Sequence, residues 1–395
     1  MDIVSSVFGE KSRLGALLQH FSVIEDPRQE WRVLYPLPEI LLLVVCGTIA
    51  DCDDYEAIVA WGEQHLSFLR RFLPYERELP GARWLTLLMN RIDPALFSAC
   101  FTAWVHEVWP DRSGSATDVV AIDGKTSRRS HDRSAGKPPL HLVSAFATTD
   151  RLVLGQEAVD EKSNETTAIP VLVERLASDG ALKGALVTID AIACNPAVAT
   201  AIRQAGADYL LAVKANQPTL RNEIESFFND ADTAAASLDR FVDLDKGHGR
   251  IEERTVTVAR EVDWLTGSRH YPGELRLPGV TTLVRVSSRT ELKDRCRYDT
   301  RYYVASAALS AQAAAHAVRG HWGIENRLHW VLDVVFKDDQ CRLRTGHGAK
   351  NMAVVRHFAL NLIRSVTDKK SLKLRRKAAA WNEAYLAAIL GTSPR

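Results

Sequence analysis

The sequence predicts an α/β protein, a mixed-sheet core that carries a β-rich insertion and is preceded by a helical N-terminal domain. Three observations lead there. Apolar positions recur at three- and four-residue spacing over residues 14–109, the period of helices that bury one face. Continuous apolar runs of strand length alternate with helical stretches over 118–214, and polar runs of alternating hydrophobicity occupy much of 251–306.

Composition bounds the rest. A chain of 395 residues with 46% hydrophobic and 25% charged residues buries a substantial core and is not a disordered one. Lys+Arg 50 against Asp+Glu 49 leaves no global basic field, so nucleic-acid binding must rest on local patches. The six cysteines form no CxxC pair, which excludes a zinc knuckle and fits free thiols in a reducing cytosol. The longest apolar run, 40–50, is too short to span a bilayer and is flanked by Glu39 and Asp51, so it reads as a buried helix. The first residues show no secretion pattern, and a cytoplasmic, non-membrane protein is expected.

The elements follow in order. A helical domain over 14–110 is punctuated by Pro27, Pro36, Pro38, Pro74, Pro80 and Pro94, and a polar Gly/Ser stretch at 111–118 marks a boundary. Strands are then expected at DVVAID (118–123), LHLVSAFATT (140–149), RLVLGQEAV (151–159), ALVTID (185–190) and DYLLAVK (208–214), with helices at 169–177 and 196–206. A three-strand meander followed by helix, strand, helix and strand is the order of a ribonuclease-H-like mixed sheet, though other α/β folds share parts of it. The core is assigned to 116–222 and 307–367. The insertion, 223–306, holds strands at 251–259, 280–288 and 300–306, and 368–395 is a basic C-terminal segment.

Two of the apolar strands finish on an aspartate, Asp123 and Asp190. Strands buried on both faces project their last side chain into the crevice where open α/β sheets bind ligands, although a single such Asp is more often a cap. A third carboxylate comes from the helix around 321–336, where Val318, Trp322, Glu325, His329, Leu332 and Phe336 recur at alternating spacings of four and three. That places Glu325 on the apolar stripe, where it needs a cation or a donor, either a salt bridge to Arg319 or to a sheet residue, or a metal. Three hard oxygen ligands suit Mg²⁺ or Mn²⁺, and two such ions clamp an in-line phosphoryl displacement.

These residues resemble bacterial insertion-sequence transposases with an Asp-Asp-Glu triad, in the H-repeat-associated (ISAs-type) branch. The resemblance covers residues 21–390 and rests on FSVIEDPR (21–28), AIDGKTSRRS (121–130), HLVSAFATTDRLVLGQEAVDEKSNETTAIP (141–170), TIDAIACN (188–195), ADYLLAVKANQPTL (207–220), KGHGRIEERT (246–255) and RGHWGIENRLHWVLDVVFKDD (319–339). It implies a ribonuclease-H-like core with a β-rich insertion and a triad of Asp123, Asp190 and Glu325 holding two Mg²⁺ or Mn²⁺ ions. It also implies double-stranded DNA as partner, both element ends and target, within a homodimer or larger assembly in a bacterial cell. Val318, His321 and Leu332 stand where the broader superfamily has Tyr, Arg and Lys beside the glutamate, and Ile192, Ala193 and Asn195 stand where the branch usually has Met, Gly and Gln.

Candidate DNA contacts are Lys125, Arg128 and Arg129 after the first aspartate, Lys214, Asn216 and Gln217 in the KxNQ element, and His248, Arg250 and Arg254 in the insertion. Arg319 and His321 precede Glu325, and Trp264 is a candidate aromatic platform for an extruded base. Solvated loops and strand salt bridges explain several of these equally well. The run KKSLKLRRK (369–377) is either a DNA contact or a solvated tail. Two other readings stay open, a DNA-binding relic that no longer cuts and a metal-dependent nuclease that does not join.

Overall fold

The computed structural model describes residues 12–110, 118–134, 136–160, 163–233, 238–247, 250–260, 262–265 and 275–392. The N-terminal region is helical, with α1 (Arg13–Ser22), α2 (Leu37–Ile49), α3 (Tyr55–Gln64), α4 (Leu66–Leu69), α5 (Ala82–Met89) and α6 (Pro94–Val108). Side-chain caps from Ser12, Asp54 and Asp93 start three of them. The apolar run at 40–50 is α2, buried along almost its whole length. No helix among the described residues is long and apolar enough to cross a membrane.

The core begins with β1 (Val119–Ser127), β2 (Leu140–Ala147) and β3 (Leu152–Ala158). It continues through α7 (Glu165–Ser178), β4 (Leu186–Ile189), α8 (Pro196–Gln204), β5 (Asp208–Val213) and α9 (Pro218–Thr233). Strands β6 (Asp239–Gly247), β7 (Arg250–Ala259), β8 (Thr282–Glu291) and β9 (Cys296–Ala305) form the insertion. Helix α10 (Ala311–Ile324) then runs through a π-helical turn, Glu325–His329, into α11 (Trp330–Val334), followed by α12 (Gly348–Arg364), α13 (Leu372–Trp381) and α14 (Glu383–Leu390).

All nine strands join one sheet in the order β3-β2-β1-β4-β5-β9-β8-β7-β6. The antiparallel β3-β2-β1 meander and the parallel β1-β4-β5 run, with helices between, make this a ribonuclease-H-like core. The insertion extends that sheet, since β9 pairs antiparallel with β5. Helices α6, α7 and α12 cover β3, and Asn361 of α12 brackets that edge, accepting from Val153 N–H at 3.0 Å and donating to its carbonyl at 2.8 Å. Helix α10 lies across β1 and β4 and also packs on β6 and β7.

Several expectations need correction. Strand β1 does not stop at Asp123 but continues to Ser127, still paired with β2, so Asp123 lies inside it. Residues 218–233 form α9, so the β-rich part of the insertion starts only at β6. The basic run at 369–377 is no free tail. It lies largely in α13, where Arg376 is fully buried, donates to Thr48 O at 2.9 Å and pairs with Asp51 at 3.0 Å, while Arg375 pairs with Asp368 at 2.9 Å.

Candidate active site

Strand β1 enters the site through Val119, Val120, Ala121 and Ile122, all buried between β2 and β4. Ile122 is in register with Ile189, so Asp123 and Asp190 follow side by side, one residue beyond the last β1–β4 pair. Strand β4 ends there, while β1 runs on with that edge open. On the α10 side, Gly320 lets the helix close on the sheet. A Cβ there would stand 3.2 Å from Thr148 Oγ1 and 3.3 Å from Val119 Cγ1.

Glu325 opens the π-helical turn at the end of α10 and is not on the buried stripe. Its side chain is 57% exposed and Trp322 is 48% exposed, whereas Ala314, Ala317, Ile324 and Leu328 face the sheet. From that rim the carboxylate still reaches the first aspartate. Asp123, Glu325 and His329 present ligand atoms that all lie within 4.8 Å of one another, with His329 Nδ1 at 3.4 Å from Glu325 Oε2 and 3.6 Å from Asp123 Oδ2. Burial, and then the negative charge of Glu325, lift the Asp123 carboxyl to about 7. Burial pulls His329 below the usual imidazole range, and its Nε2 has no hydrogen-bond partner among the described residues. His329 was not singled out from the sequence as a site residue. The signal was available, because a histidine four residues after a helical glutamate shares its face.

Asp190 is held differently. Lys214 Nζ sits 2.7 Å from its Oδ1, and Ala191 N–H donates to it at 2.5 Å. Burial pushes its pKa up, but those two hydrogen bonds outweigh it and hold Asp190 below the usual carboxylate range. Asn216 donates to Ala191 O at 2.8 Å and Gln217 to Cys194 O at 3.1 Å, so the KxNQ element fastens the turn after Asp190. His321 lies against Thr188 at 3.1 Å between the charges of Asp190 and Glu325, and burial lowers its pKa.

The other predicted contacts separate into inward and outward groups. Lys125 is a correction, because its ammonium is nearly buried, 2.6 Å from Asp333 and 2.8 Å from Asp338, and is not available to DNA. Arg128 and Arg129 are exposed, with Arg128 near Asp339 at 3.3 Å. Arg250, Arg254, Arg319 and Trp322 line a groove of about 640 Å³ between α10 and the insertion strands. Arg254 pairs there with Glu252 at 2.8 Å and Arg319 with Asp243 at 2.6 Å. In the same groove Arg301 lies over the Trp322 ring, 4.7 Å from its centroid. Trp264 instead packs against Phe227, with ring centroids 5.7 Å apart. His248 lies outside the described residues.

The donor set fits a hard divalent cation. Two carboxylates in mutual contact repel unless a proton or a cation lies between them, and among the described residues neither Asp123 nor Glu325 has a Lys or Arg ion-pair partner. The transposase DDE domain model matches residues 114–362, and the DDE_Tnp_1-associated model matches 18–105. The chain belongs to the DDE transposases. It is 37% identical over 385 residues to the H repeat-associated protein YhhI of Escherichia coli strain K12, covering 96% of this chain and 99% of YhhI. Protein YbfL of the same strain is also 37% identical over 385 residues, 96% of this chain and 99% of YbfL. These matches place the transposase in the H-repeat-associated branch. A looser likeness, TM-score 0.40 at 12% identity over 96% of this chain and 81% of the other, is to the piggyBac transposase in a synaptic complex with hairpin DNA, too loose to align site residues.

Proposed function

We propose that this transposase cuts the ends of its DNA element and joins them to target DNA, using Mg²⁺ or Mn²⁺ held by Asp123, Glu325 and Asp190. The observation that carries the reading is the convergence of Asp123, Glu325 and His329 on one point beside Asp190. When bound, the ions supply Lewis-acid activation of the attacking oxygen and charge stabilisation of the phosphorane-like transition state. Asp123, central in the sheet, presents its carboxylate toward both Glu325 on α10 and the end of β4. Lys214 favours the ionised form of Asp190 and burial favours neutral His329, the protonation states that a metal ligand needs, while Asp123, raised by burial and by Glu325, would give up its proton when the ion binds.

The reaction balances bond for bond. Water adds to the scissile phosphorus and the 3′ oxygen of the element leaves as a hydroxyl. That hydroxyl then adds to a target phosphorus and displaces the target 3′ oxygen, so one phosphodiester replaces another with no outside energy source. Arg128, Arg129 and the groove arginines Arg250, Arg254 and Arg319 are the phosphate contacts on this reading, and Trp322 replaces Trp264 as the aromatic platform nearest the chemistry. Lys214, Asn216 and Gln217 act mainly by holding the Asp190 turn. The helical unit takes in residues 14–110 and the core 116–222 and 307–367. Residues 368–392 belong with the helical unit, because Arg376 is bound there. Synapsis of two element ends calls for at least a dimer, working in the cytoplasm on chromosomal DNA.

The test is cleavage of labelled element-end DNA with Mg²⁺ or Mn²⁺, comparing wild type with Asp123→Ala, Asp190→Ala and Glu325→Gln at matched DNA binding. Metal-dependent nicking lost in all three is expected. Tight, specific binding with no cleavage by the wild type would instead favour the DNA-binding relic, and cleavage without joining to target DNA the nuclease.

A further inference from the structure

Gly124, the residue after Asp123, has no room for a side chain. A Cβ there would stand 2.1 Å from Glu165 Oε1 and 2.7 Å from His141 Nε2. Both groups belong to the sheet face opposite α10. Glu165 is the first residue of α7, and His141 lies on β2 in register with Thr126. His141 Nε2 is 2.7 Å from Glu165 Oε1, and its Nδ1 is 2.7 Å from Thr126 Oγ1. An ionised carboxylate only accepts, so Nε2 carries the proton and donates to Glu165, and in the neutral imidazole Nδ1 accepts from the Thr126 hydroxyl. The carboxylate is therefore aimed by a fixed chain, Thr126 to His141 to Glu165, the kind of outer-shell arrangement that orients metal ligands.

The topology brings this carboxylate beside the residue that follows Asp123. Pairing of β1 with β4 stops at Ile122 and Ile189, yet β1 continues to Ser127. Beside Gly124 the sheet thus has an open edge where its two faces communicate. Glu325 approaches Asp123 from the α10 face, and Glu165 approaches through the space that Gly124 leaves. Among the described residues, Asp123, Glu325 and Glu165 have only histidines as ion-pair partners, His329 and His141, whereas Asp190 already has Lys214. Asp123 and Glu325 in contact, Glu165 beside the next residue, Gly124, and no Lys or Arg paired with any of the three leave negative charge that a cation would neutralise. The charge of Glu165 also contributes to the raised pKa of Asp123.

We propose that Glu165, oriented by His141, is a further carboxylate ligand of the metal centre, reaching Asp123 from the opposite face of the sheet. This rests on the metal-centre reading above. It gives Gly124 a chemical reason, since any side chain there would push Glu165 away.

The test is Mn²⁺ binding to the full-length, DNA-free protein, followed by electron paramagnetic resonance of free Mn²⁺, with thermal unfolding in chelator as the check on folding. Asp123→Asn is expected to abolish the tight binding. Glu165→Gln should weaken Mn²⁺ binding at least about tenfold while keeping its metal-free unfolding midpoint. Gly124→Ala, which keeps the carboxylate but displaces it, should show a matching loss, and His141→Gln a smaller one. Wild-type Mn²⁺ affinity in Glu165→Gln, alongside lost binding in Asp123→Asn, overturns the proposal and leaves the metal centre standing. Unchanged binding in Asp123→Asn as well brings down the metal-centre reading itself, and this inference with it.

Discussion

Replacing Asp338 by asparagine should destabilise the protein by about 3 kcal/mol and, through β1, impair the site. Asp338 is buried and accepts from Lys125 at 2.8 Å, from Ser127 Oγ at 2.6 Å and from the buried Arg356. Arg356 has no other carboxylate at ion-pair distance among the described residues, so Asp338→Asn leaves a buried guanidinium without its counter-ion, a change that typically costs about 3–5 kcal/mol. The proton gives a second figure. Burial raises the Asp338 pKa, but the charges of Arg356 and Lys125 outweigh it and hold it at about 2 against an ordinary 3.8. A depressed folded-state pKa means that this stability is fully present above about pH 4 and is lost as pH falls toward 2, a contribution of about 2 kcal/mol. The proton-linked value is the smaller because it counts only the charge, whereas an amide also turns two of its hydrogens toward donors. Mutational loss should therefore fall between the two figures.

The assay is denaturant unfolding at pH 7 for wild type, Asp338→Asn, Arg356→Met and the double variant, with wild type repeated between pH 4.5 and 2.5. The double variant should recover part of the loss, since it removes the stranded charge. Because Lys125 and Ser127 follow Asp123 on the same face of β1, element-end cleavage by Asp338→Asn should fall at unchanged DNA binding. A single-variant loss under about 1 kcal/mol, within the range of ordinary surface changes, would refute the reasoning.

Two further outcomes are expected. Because the folded-state pKa of Asp123 is raised, its ionisation costs stability, in full above about pH 7, and that cost shrinks as pH falls from about 7 toward the ordinary 3.8. Asp123→Asn should thus raise the metal-free thermal midpoint by about 2–4 °C, and Mg²⁺ should stabilise wild type but not the variant; a lower midpoint in chelator would contradict the repulsion argument. Arg250, exposed at the mouth of the groove, should contribute one phosphate contact, so Arg250→Ala should weaken element-end binding and reduce the slope of log affinity against log salt by about 1, and an unchanged slope would place the DNA backbone elsewhere.

How legible each part was in the sequence follows from where its partners lie. Strands β1, β4 and β5 were readable because they are buried on both faces and leave continuous apolar runs. Strand β6 was missed because Val242 and Leu244, at 58% and 55% exposed, face solvent, and the intervening Asp243 and Asp245 meet Arg319 from a distant helix. Lys125 looked like a phosphate contact because its neighbours in sequence are basic, yet Asp333 and Asp338, more than two hundred residues on, neutralise it. The basic run at 369–377 misled for the same reason. Nothing local announces that Arg376 meets Asp51 and Asp53 across the fold.

The Glu325 helix shows a different limit, one of phase. A uniform α-helical period carries Trp322 and Glu325 inward together with Leu332 and Phe336, and it forces a buried carboxylate to be explained away. The π-helical turn at Glu325–His329 breaks that phase. Before it, Ala314, Ala317 and Ile324 face the sheet. Within it Leu328 and His329 are buried, and after it Val331 and Leu332 are. Inserted turns of this kind recur at functional sites, because one extra residue re-aims side chains without ending the helix. Here the change leaves Glu325 at the solvent rim, where its charge is affordable and DNA has access, while His329 swings into the interior beside Asp123. Glu325 could therefore be proposed from its residue type and motif, and His329 from its place four residues on, but the outward aim of Glu325 and the exposure of Trp322 one turn earlier depend on a backbone irregularity that spacing alone does not encode.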